Sequence, residues 1–480
     1  MIDIMSGRRM NEKTNVMLIT IDCLRADHMS CLGYHRKTTP NIDKFARKGI
    51  LFTQAIANSS FTPGSFPSIL TSTYPFMFPD HPRISLRVSI AEILKKKGYK
   101  TAAFHSNPYL SRYYNYDKGF DYFEDFLFTS NKKELNKEYD NVSSRFSNRV
   151  TDIIKKNKKL YSIVKKIYKP ILNIEMYIKQ ATTPYQRATI INEKVISWLE
   201  KNTSSGFFIW LHYMDTHHPF IPPKEFCNSS RYKINRAEYI ISRNPPEVSK
   251  HDIQNIINLY DCAIKYVDQA LANLFKEMNE LDVFDNTFII IAADHGEEFG
   301  EHGGFSHRGK LYDELIRVPL IFKAPELPSG IKIDEQVSLL NIAPTILDYL
   351  NLTECENFMG KSLLPLIADR GSKWHEEEGV ISERLTKDGE GVLLMKNGDR
   401  LISCRTKSWK FIINVDRGNK ELYNLEDDPH ETENIYEKEK RIAEIFEEKI
   451  TEHLMMEERA RRKIIEKERI KNVVKRRKMI

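Results

Sequence analysis

Two acidic residues and a histidine follow apolar, strand-like runs in a way that could bind a divalent cation. Asp22 closes the run NVMLITID, and Asp294 and His295 follow the run TFIIIAA. Ligands of open α/β sheets bind at the carboxyl ends of strands, so two parallel strands would place these side chains on one rim. Two carboxylates and an imidazole suit a divalent cation, and Gly296 would allow a tight turn. A single strand-end aspartate is more often a turn or cap residue, and the adjacent Asp-His pair favours the metal site.

A threonine-proline pair in SSFTPGSFPSILTS predicts a helix start that could bind an anion. Thr62 fits the helix N-cap and Pro63 the first helical position. A hydroxyl there lies beside unpaired backbone N–H groups and the positive end of the helix dipole. Next to a metal, such a hydroxyl can ionise and attack phosphorus or sulfur. An ordinary threonine cap is the alternative, and it is the commoner role of a Thr-Pro pair.

Histidines and cations in two loops could bind an oxyanion or protonate a leaving group. His217 and His218 lie in the loop HYMDTHHPF, which follows the strand-like run GFFIWLH. The segment EHGGFSHRGKLYDE, after the Asp-His pair, contributes His302, His307, Arg308 and Lys310. The alternative is that these are polar loop residues satisfied by backbone or solvent, and for His302 the two interpretations carry equal weight.

The elements that would position these residues alternate between strands and helices, which predicts a doubly wound α/β body. The predicted strands cover 15–22, 100–106, 206–212, 287–294 and 318–324, and the predicted helices follow Pro40 and cover 253–281 and 338–350. The pattern divides the chain into a catalytic domain at 12–370 with a basic insertion at about 130–185, a small antiparallel subdomain at 375–436, and a charged helical tail at 437–480.

Composition excludes several classes of protein. Of the 480 residues, 41% are hydrophobic and 29% are charged, which excludes disorder along the whole chain. No apolar run approaches the roughly 18 residues of a membrane-spanning helix. The opening MIDIMSGRRMNEKTN lacks the features of a secretory signal, and the six cysteines contain no CxxC pair. These observations predict a cytoplasmic protein with reduced cysteines.

The net charge of +7 comes from two basic segments. Residues 151–180 have apolar residues at helical spacing with lysines between them, and they could contact an anionic membrane surface peripherally. The favoured alternative is a solvated helix whose apolar stripe packs on the body, interrupted at Pro170. The tail 457–480 is predicted to be a solvated or oligomerising helix. It lacks the aromatic residues that single-stranded nucleic acid requires, so no nucleic-acid partner is expected.

Taken together and in order, these segments resemble the sulfatase family of the alkaline phosphatase superfamily. The matching pieces include NVMLITIDCLRADHMSCLGY, SSFTPGSFPSILTSTYP, WLHYMDTHHPF, TFIIIAADHGEEFGEHG and LYDELIRVPLIFKAP, and they continue to KELYNLEDDPHETENI. The resemblance implies an α/β fold with a large mixed sheet flanked by helices, followed by a small antiparallel sheet with a helix.

The resemblance also implies roles for individual residues. Asp22, Asp294 and His295 match the family's metal ligands. His217 and His307 match catalytic histidines. Arg308 or Lys310 would replace a substrate-binding lysine. The family often has a second acid where this chain has Cys23.

The nucleophile departs from the sulfatase pattern. Family sulfatases carry Cys or Ser in a C/S-x-P-x-R motif that is converted to formylglycine, whereas this chain places Thr62 and Phe66 at the two ends of that motif. Threonine cannot give the aldehyde, so no formylglycine is expected. Related phosphodiesterases, phosphoethanolamine transferases and lipoteichoic-acid synthase-like enzymes use a threonine nucleophile, which implies that Thr62 attacks and also binds the metal.

The resemblance therefore implies a metal-dependent hydrolase of sulfate or phosphate esters with a covalent intermediate on Thr62. One divalent ion (Ca, Mn or Zn) is predicted, although Asp215, His218 and His307 could be proposed as ligands of a second. The partner would be an anionic ester, with a glycan or a lipid-linked glycan among the candidates. Two alternatives remain open: a transferase that moves a phospho-alcohol head group onto a glycan or lipid, and a catalytically silent anion-binding homologue. The oligomeric state is left open.

Overall fold

The computed structural model of the chain describes residues 13–127, 184–203, 205–352, 356–369, 379–386 and 398–477. The predicted membrane-contact segment 151–180 lies outside the described residues, as does all but the end of the basic insertion at 130–185. None of the described helices combines the length and apolar character needed to cross a membrane.

A large mixed sheet of eight strands forms the centre of the fold. The first ten strands of the chain are β1 (Asn15–Ile21), β2 (Ile50–Ile56), β3 (Lys100–His105), β4 (Tyr122–Glu124), β5 (Phe207–Tyr213), β6 (Thr287–Ala293), β7 (Glu298–Phe299), β8 (Phe305–Ser306), β9 (Arg317–Lys323) and β10 (Ile331–Ser338). The large sheet has the order β10-β2-β9-β6-β1-β5-β3-β4, and β7 and β8 form a separate two-stranded ribbon. Within the large sheet only β9 is antiparallel to its neighbours. The predicted strands at 15–22, 100–106, 206–212, 287–294 and 318–324 are confirmed as β1, β3, β5, β6 and β9.

Helices cover the faces of this sheet, which explains why every residue of β1, β5 and β6 is buried. The helices of this part are α1 (Pro40–Ala46), α2 (Thr62–Thr71), α3 (Ile90–Lys96), α4 (Ala188–Leu199), α5 (Arg231–Arg243), α6 (Lys250–Glu280), α7 (Asp313–Ile316), α8 (Ile342–Tyr349) and α9 (Leu364–Ala368). Short 3-10 turns cover Ala26–His28, Ser30–Leu32, Pro108–Leu110, Arg112–Tyr114 and Leu339–Asn341. Helices α1, α4 and α5 pack against α6, while α2 packs against α3 and α8.

The sequence signals for the helices are local. Helix α6 starts three residues before the predicted position 253, because the Ser249 side chain accepts a hydrogen bond from the Asp252 N–H. Pro40 begins α1, as expected for a proline in the first helical turn. The helix predicted at 338–350 is the 3-10 turn Leu339–Asn341 followed by α8.

The C-terminal part is a four-stranded antiparallel sheet with a long helix, as predicted. Its elements are β11 (Val380–Thr386), β12 (Asp399–Arg405), β13 (Trp409–Asn414), β14 (Lys420–Asn424) and α10 (Lys440–Arg477). Phe411 and Leu422 of the sheet share a core with Phe446 and Ile450 of α10. The first half of the predicted tail therefore packs on the sheet. The division into domains stays a prediction.

A buried ion cluster joins the two sheets. Lys410 is fully buried, and its Nζ lies 3.0 Å from Asp313 Oδ1 and 2.7 Å from Glu431 Oε1. Arg405 Nη2 donates to Asp313 Oδ2 at 2.8 Å. Asp313 begins α7 beside the large sheet, so this cluster fixes the position of β12 and β13 relative to it.

We expect Lys410→Met to lower the free energy of unfolding by about 3 kcal/mol. The change leaves Arg405 on Asp313 but removes the contact of Lys410 with the buried Glu431, and a buried charge that loses its partner is costly. Urea unfolding of the full chain measures the effect. Lys407→Met is the control, because Lys407 is exposed in the turn between β12 and β13. A loss for Lys410→Met no larger than that of the control would contradict the structural role of the cluster.

Candidate active site

Asp22 and Asp294 lie side by side at the carboxyl ends of two neighbouring strands. Strands β1 and β6 pair in parallel, with Ile21 opposite Ala293, so the next residue of each strand reaches the same rim. Asp22, Asp294 and His295 are all fully buried. Their potential ligand atoms lie within 4.8 Å of one another. The structure therefore brings together the three residues that the sequence placed on one rim.

The donor atoms of these residues fit a divalent cation. His295 Nδ1 lies 2.9 Å from the Gly296 carbonyl, which can only accept, so Nδ1 carries the proton and Nε2 presents its lone pair. That Nε2 is 3.5 Å from Asp294 Oδ2, an oxygen without a hydrogen-bond partner in the described part of the chain. Burial and the negative charge of Asp22 raise the pKa of Asp294 to about 8. A cation would offset the repulsion between the Asp22 and Asp294 carboxylates, and it would give Asp294 Oδ2 a partner.

Asp22 is held by two side chains that the sequence did not single out. His212 Nε2 lies 3.1 Å from Asp22 Oδ2, and Asn107 Nδ2 donates to the same oxygen at 3.0 Å. Burial alone would raise the pKa of Asp22, but the hydrogen bond from His212 and the nearby imidazoles hold it well below its usual range. Asp22 is therefore a carboxylate at neutral pH, with its orientation fixed by residues of β5 and the loop after β3.

Thr62 is the first residue of α2 rather than its N-cap, which corrects the sequence prediction. Phe61 precedes the helix in an extended conformation (φ −159°, ψ 152°), and Pro63 is the second helical residue. The Thr62 hydroxyl does not cap the helix because it points to the metal-ligand cluster. Its Oγ1 donates to Asp22 Oδ2 at 3.4 Å and lies 3.3 Å from His295 Nε2. The hydroxyl thus completes a group of four potential ligands at the positive end of the helix.

His217 and His307 form the opposite wall of the site. The His307 ring lies 4.6 Å from the His295 ring and 5.3 Å from the His217 ring, measured between centroids. Burial lowers the pKa of His217 and lowers that of His307 to about 3. His307 Nδ1 lies 3.1 Å from Glu297 Oε2, a buried carboxylate. Both imidazoles are therefore neutral at neutral pH, and Glu297 orients the Nε2 atom of His307 away from itself.

The remaining predicted residues make other contacts. Arg308 Nη2 donates to the Ser242 carbonyl at 2.7 Å, and Lys310 Nζ donates to Glu298 Oε1 at 2.7 Å. Asp215 accepts from the Ala188 N–H at 2.9 Å, at the start of α4. In the described ranges Asp215 and His218 are not part of a metal-ligand cluster.

His302 belongs to a separate polar group. Its Nδ1 lies 2.7 Å from Glu314 Oε1, and its ring stacks on Tyr312 at a centroid distance of 3.6 Å. These contacts favour the interpretation of His302 as a satisfied loop residue.

Two residues of the rim have unusual backbone requirements. A Cβ at Gly296 would lie 1.9 Å from the Glu314 carbonyl oxygen, so this glycine is needed for close packing rather than for the predicted tight turn. Cys23 has φ 57°, and its Sγ lies 3.0 Å from Asp22 Oδ1. Its left-handed backbone costs about 1 kcal/mol, and the Tyr260 hydroxyl holds it by donating to the Cys23 carbonyl at 2.7 Å.

Sequence reasoning missed Asn107, His212 and Glu297. Their positions in the sequence made them candidates. His212 and Asn107 are polar residues at or just beyond the ends of apolar strands, and Glu297 follows the Asp-His-Gly segment. What the sequence did not indicate is which of the many such residues would face Asp22 or His307.

Comparison with protein-family models gives two matches. The family described as "Sulfatase" matches residues 14–352, and the family described as "N-sulphoglucosamine sulphohydrolase, C-terminal" matches residues 300–460. The first match includes every predicted site residue and covers more than half of the chain.

Individual relatives are distant. Human arylsulfatase K is 25% identical over 277 residues, and the match covers 51% of this chain and 51% of that protein. This chain thus aligns with about half the length of the mammalian arylsulfatases K that it matches. An arylsulfatase of Clostridium perfringens is 23% identical over 457 residues, covering 88% and 90% of the two chains.

Solved structures with similar folds include a phosphonate monoester hydrolase and a protein with a sulfated sugar substrate. The phosphonate monoester hydrolase of Agrobacterium radiobacter has a TM-score of 0.70 at 19% identity, covering 93% of this chain and 96% of its own. A protein solved in complex with its substrate D-glucosamine-2-N,6-O-disulfate has a TM-score of 0.67 at 17% identity, covering 93% and 98%. These likenesses confirm the α/β fold with its large mixed sheet and small C-terminal antiparallel sheet. Together with the family match over residues 14–352, they show that the chain belongs to the sulfatase family.

Proposed function

We propose that this chain hydrolyses sulfate or phosphate esters through a covalent intermediate on Thr62. The observation that carries the proposal is the position of Thr62 Oγ1, 3.3 Å from His295 Nε2 and 3.4 Å from Asp22 Oδ2, beside the unpartnered Asp294 Oδ2. A hydroxyl in an ordinary cap would bond to its own helix. Here it faces three potential metal ligands at the rim of the sheet.

The residues that would hold a single divalent ion are Asp22, Thr62, Asp294 and His295, with Ca²⁺, Mn²⁺ and Zn²⁺ as candidates. Such an ion, when bound, would lower the pKa of the threonine hydroxyl and offset the negative charge of the ester oxygens. Three of the four side chains are oxygen donors, and one is a histidine whose Nε2 lone pair is free.

The chemistry of the chain's own residues follows from their positions. Asp22 Oδ2 accepts the hydrogen bond of the Thr62 hydroxyl and so orients Oγ1, whose proton leaves to solvent. Thr62 Oγ1 then attacks sulfur or phosphorus, and the bond from that atom to the ester oxygen breaks. Water later attacks the same atom, which breaks its bond to Oγ1 and restores the threonine with release of the inorganic anion. Atoms and charge balance without an external oxidant or reductant.

His217 and His307 would move the protons of the leaving alcohol and of the water. An anionic ester beside them raises the pKa of these imidazoles, so a histidine protonated on substrate binding can donate to the leaving oxygen. In the second step the neutral imidazole accepts a proton from the attacking water. Glu297 positions His307 for this role through its contact with Nδ1.

The proposal excludes formylglycine chemistry at residue 62. The β-carbon of threonine carries a methyl group, so its oxidation cannot give an aldehyde. Thr62 supports a phosphorus ester as the substrate, because it resembles the threonine nucleophile of related phosphodiesterases. The relatives named above support a sulfated sugar. The substrate-bound structure among them holds D-glucosamine-2-N,6-O-disulfate.

The direct test is hydrolysis of four matched nitrophenyl esters: a sulfate, a phosphate monoester, a phosphate diester and a phosphonate. Each is measured with Mn²⁺, Zn²⁺ or Ca²⁺ and again after chelation. We expect metal-dependent turnover of at least one ester, and the preferred ester decides between sulfur and phosphorus. Absence of turnover in all twelve combinations, together with no bound metal, would contradict the proposal and favour a silent anion-binding protein.

We expect Glu297→Gln to lower kcat about 10–100-fold with little change in KM, because the residue positions His307 and does not contact the ester. The measurement is steady-state kinetics on the preferred nitrophenyl ester. Glu301→Gln is the matched control, since Glu301 pairs with Arg25 and not with an imidazole. A rise in KM without a fall in kcat would instead place Glu297 in substrate binding.

A further inference from the structure

Strand β11 of the C-terminal sheet is fastened to the segment that leads into Thr62. The Glu383 N–H donates to the Asn58 carbonyl at 2.9 Å, and Asn58 Nδ2 donates to the Ile381 carbonyl at 2.9 Å. The Ser59 hydroxyl donates to the Glu383 carbonyl at 2.5 Å. These bonds fix the position of the next residue of β11, Arg384, relative to the start of α2.

Arg384 contacts this segment, and no acidic side chain of the described ranges pairs with it. Its Nη1 donates to the Ser60 carbonyl at 3.0 Å, and its guanidinium carbon lies 4.2 Å from the centre of the Phe61 ring. Its Nε is shielded from solvent and has no hydrogen-bond partner in the described part of the chain. Burial lowers the pKa of Arg384 to about 9. The group remains a cation at neutral pH.

The other arginines on the same sheet are paired. Arg400 Nη2 lies 2.9 Å from Glu383 Oε2 and also contacts Glu457. Arg405 Nη2 lies 2.8 Å from Asp313 Oδ2. A partly buried guanidinium is stabilised by an anion, and the described residues supply none to Arg384, so an external anion would complete this site.

Arg384 is placed to act on the reacting group. The Ser60 carbonyl that it contacts is two residues before Thr62, whose Oγ1 lies 3.3 Å from His295 Nε2. Phe66 does not supply this charge, because it is fully buried among aromatic rings that include Trp210 and His212.

We propose that Arg384 binds a non-bridging oxygen of the sulfate or phosphate group that Thr62 attacks. Its unbonded Nε and planar guanidinium offer the N–H donors that an oxyanion prefers. The assignment rests on the proposed function for the identity of the reacting group. The binding of the anion itself requires no turnover, and this separates the two tests.

The test compares Arg384→Met, Arg384→Lys and Arg400→Met in the full-length chain loaded with Mn²⁺ or Ca²⁺. Calorimetry measures binding of inorganic sulfate and inorganic phosphate, and thermal unfolding is followed in buffer free of both. Arg384→Met is expected to weaken binding of the preferred ion about 10–100-fold and to leave the unfolding temperature unchanged or higher, because it removes an unpaired enclosed charge. Arg384→Lys should bind with intermediate affinity. Arg400→Met should unfold at a lower temperature and bind the ion as the unaltered chain does.

Two results would overturn the assignment. One is a failure of the binding experiment to show a role for Arg384, either because Arg384→Met binds both ions as the unaltered chain does or because the unaltered chain binds neither. The other is a loss of stability in Arg384→Met as large as that in Arg400→Met, which would make Arg384 a structural residue. Ion binding that depends on Arg384 in a chain without esterase activity would keep this assignment and reject the proposed hydrolysis alone.

Discussion

Replacing Thr62 by valine is expected to lower kcat/KM for the preferred nitrophenyl ester by about 10⁴-fold or more. Valine keeps the β-branched shape and removes the hydroxyl, and removal of an attacking group eliminates the covalent route. Thr62→Ser should retain a substantial part of the activity, because serine presents the same oxygen. Quenching the reaction in acid and analysing peptides by mass spectrometry should find a phosphate or sulfate group on residue 62 in the unaltered chain.

Thr71→Val is the matched control for this experiment. Thr71 lies at the end of the same helix, is buried, and its hydroxyl donates to the Pro67 carbonyl. Its loss should cost about 1 kcal/mol of stability and leave kcat/KM close to that of the unaltered chain. Activity that survives Thr62→Val, or a modified peptide that does not contain residue 62, would assign the nucleophile to another residue.

Replacing Asp294 by asparagine is expected to weaken binding of the divalent ion by more than about 100-fold, beyond the effect typical of residues that only orient a ligand. Asparagine keeps the shape of the side chain and removes its negative charge. In a chelator the same variant should unfold at an equal or higher temperature than the unaltered chain, because two neighbouring buried carboxylates become one. Metal titration and thermal unfolding with and without chelator measure the two effects.

Asp268→Asn is the control for this second experiment. Asp268 is also buried, but its carboxylate accepts hydrogen bonds from the backbone N–H groups of Asn41 and Ile42, which do not belong to the metal-ligand cluster. Its replacement should leave metal affinity unchanged. Equal metal affinity in Asp294→Asn and the unaltered chain would remove Asp294 from the ligand set.

The central strands were predictable because they are buried on both faces. A strand covered by helices on each side carries an unbroken run of apolar residues, as in NVMLITI of β1 and TFIIIAA of β6, and such runs are visible without any tertiary information. The position of a polar residue at the end of such a run is visible as well. The sequence therefore predicts that Asp22, Asp294 and His295 belong to one site.

Other parts of the site depend on which elements become neighbours. Thr62 lies forty residues from Asp22 and more than two hundred from His295, and only the order of the strands brings the start of α2 to them. The sequence therefore predicted a cap at residue 62, whereas the folded chain turns its hydroxyl into the ligand cluster. The antiparallel direction of β9 is likewise set by its pairing with β2 and β6.

The sequence by itself determined the main strands and helices, because these depend on local composition and periodicity. Its ordered motifs, which resemble those of the sulfatase family, indicated the acidic, histidine and threonine residues capable of the chemistry. The tertiary structure decided that Asn107 and His212 hold Asp22, that Glu297 holds His307, and that Arg384 of the C-terminal sheet contacts the Ser60 carbonyl. These partners come from separate strands and loops. Their hydrogen bonds act over about 3 Å, so only the packing of the whole chain can select them.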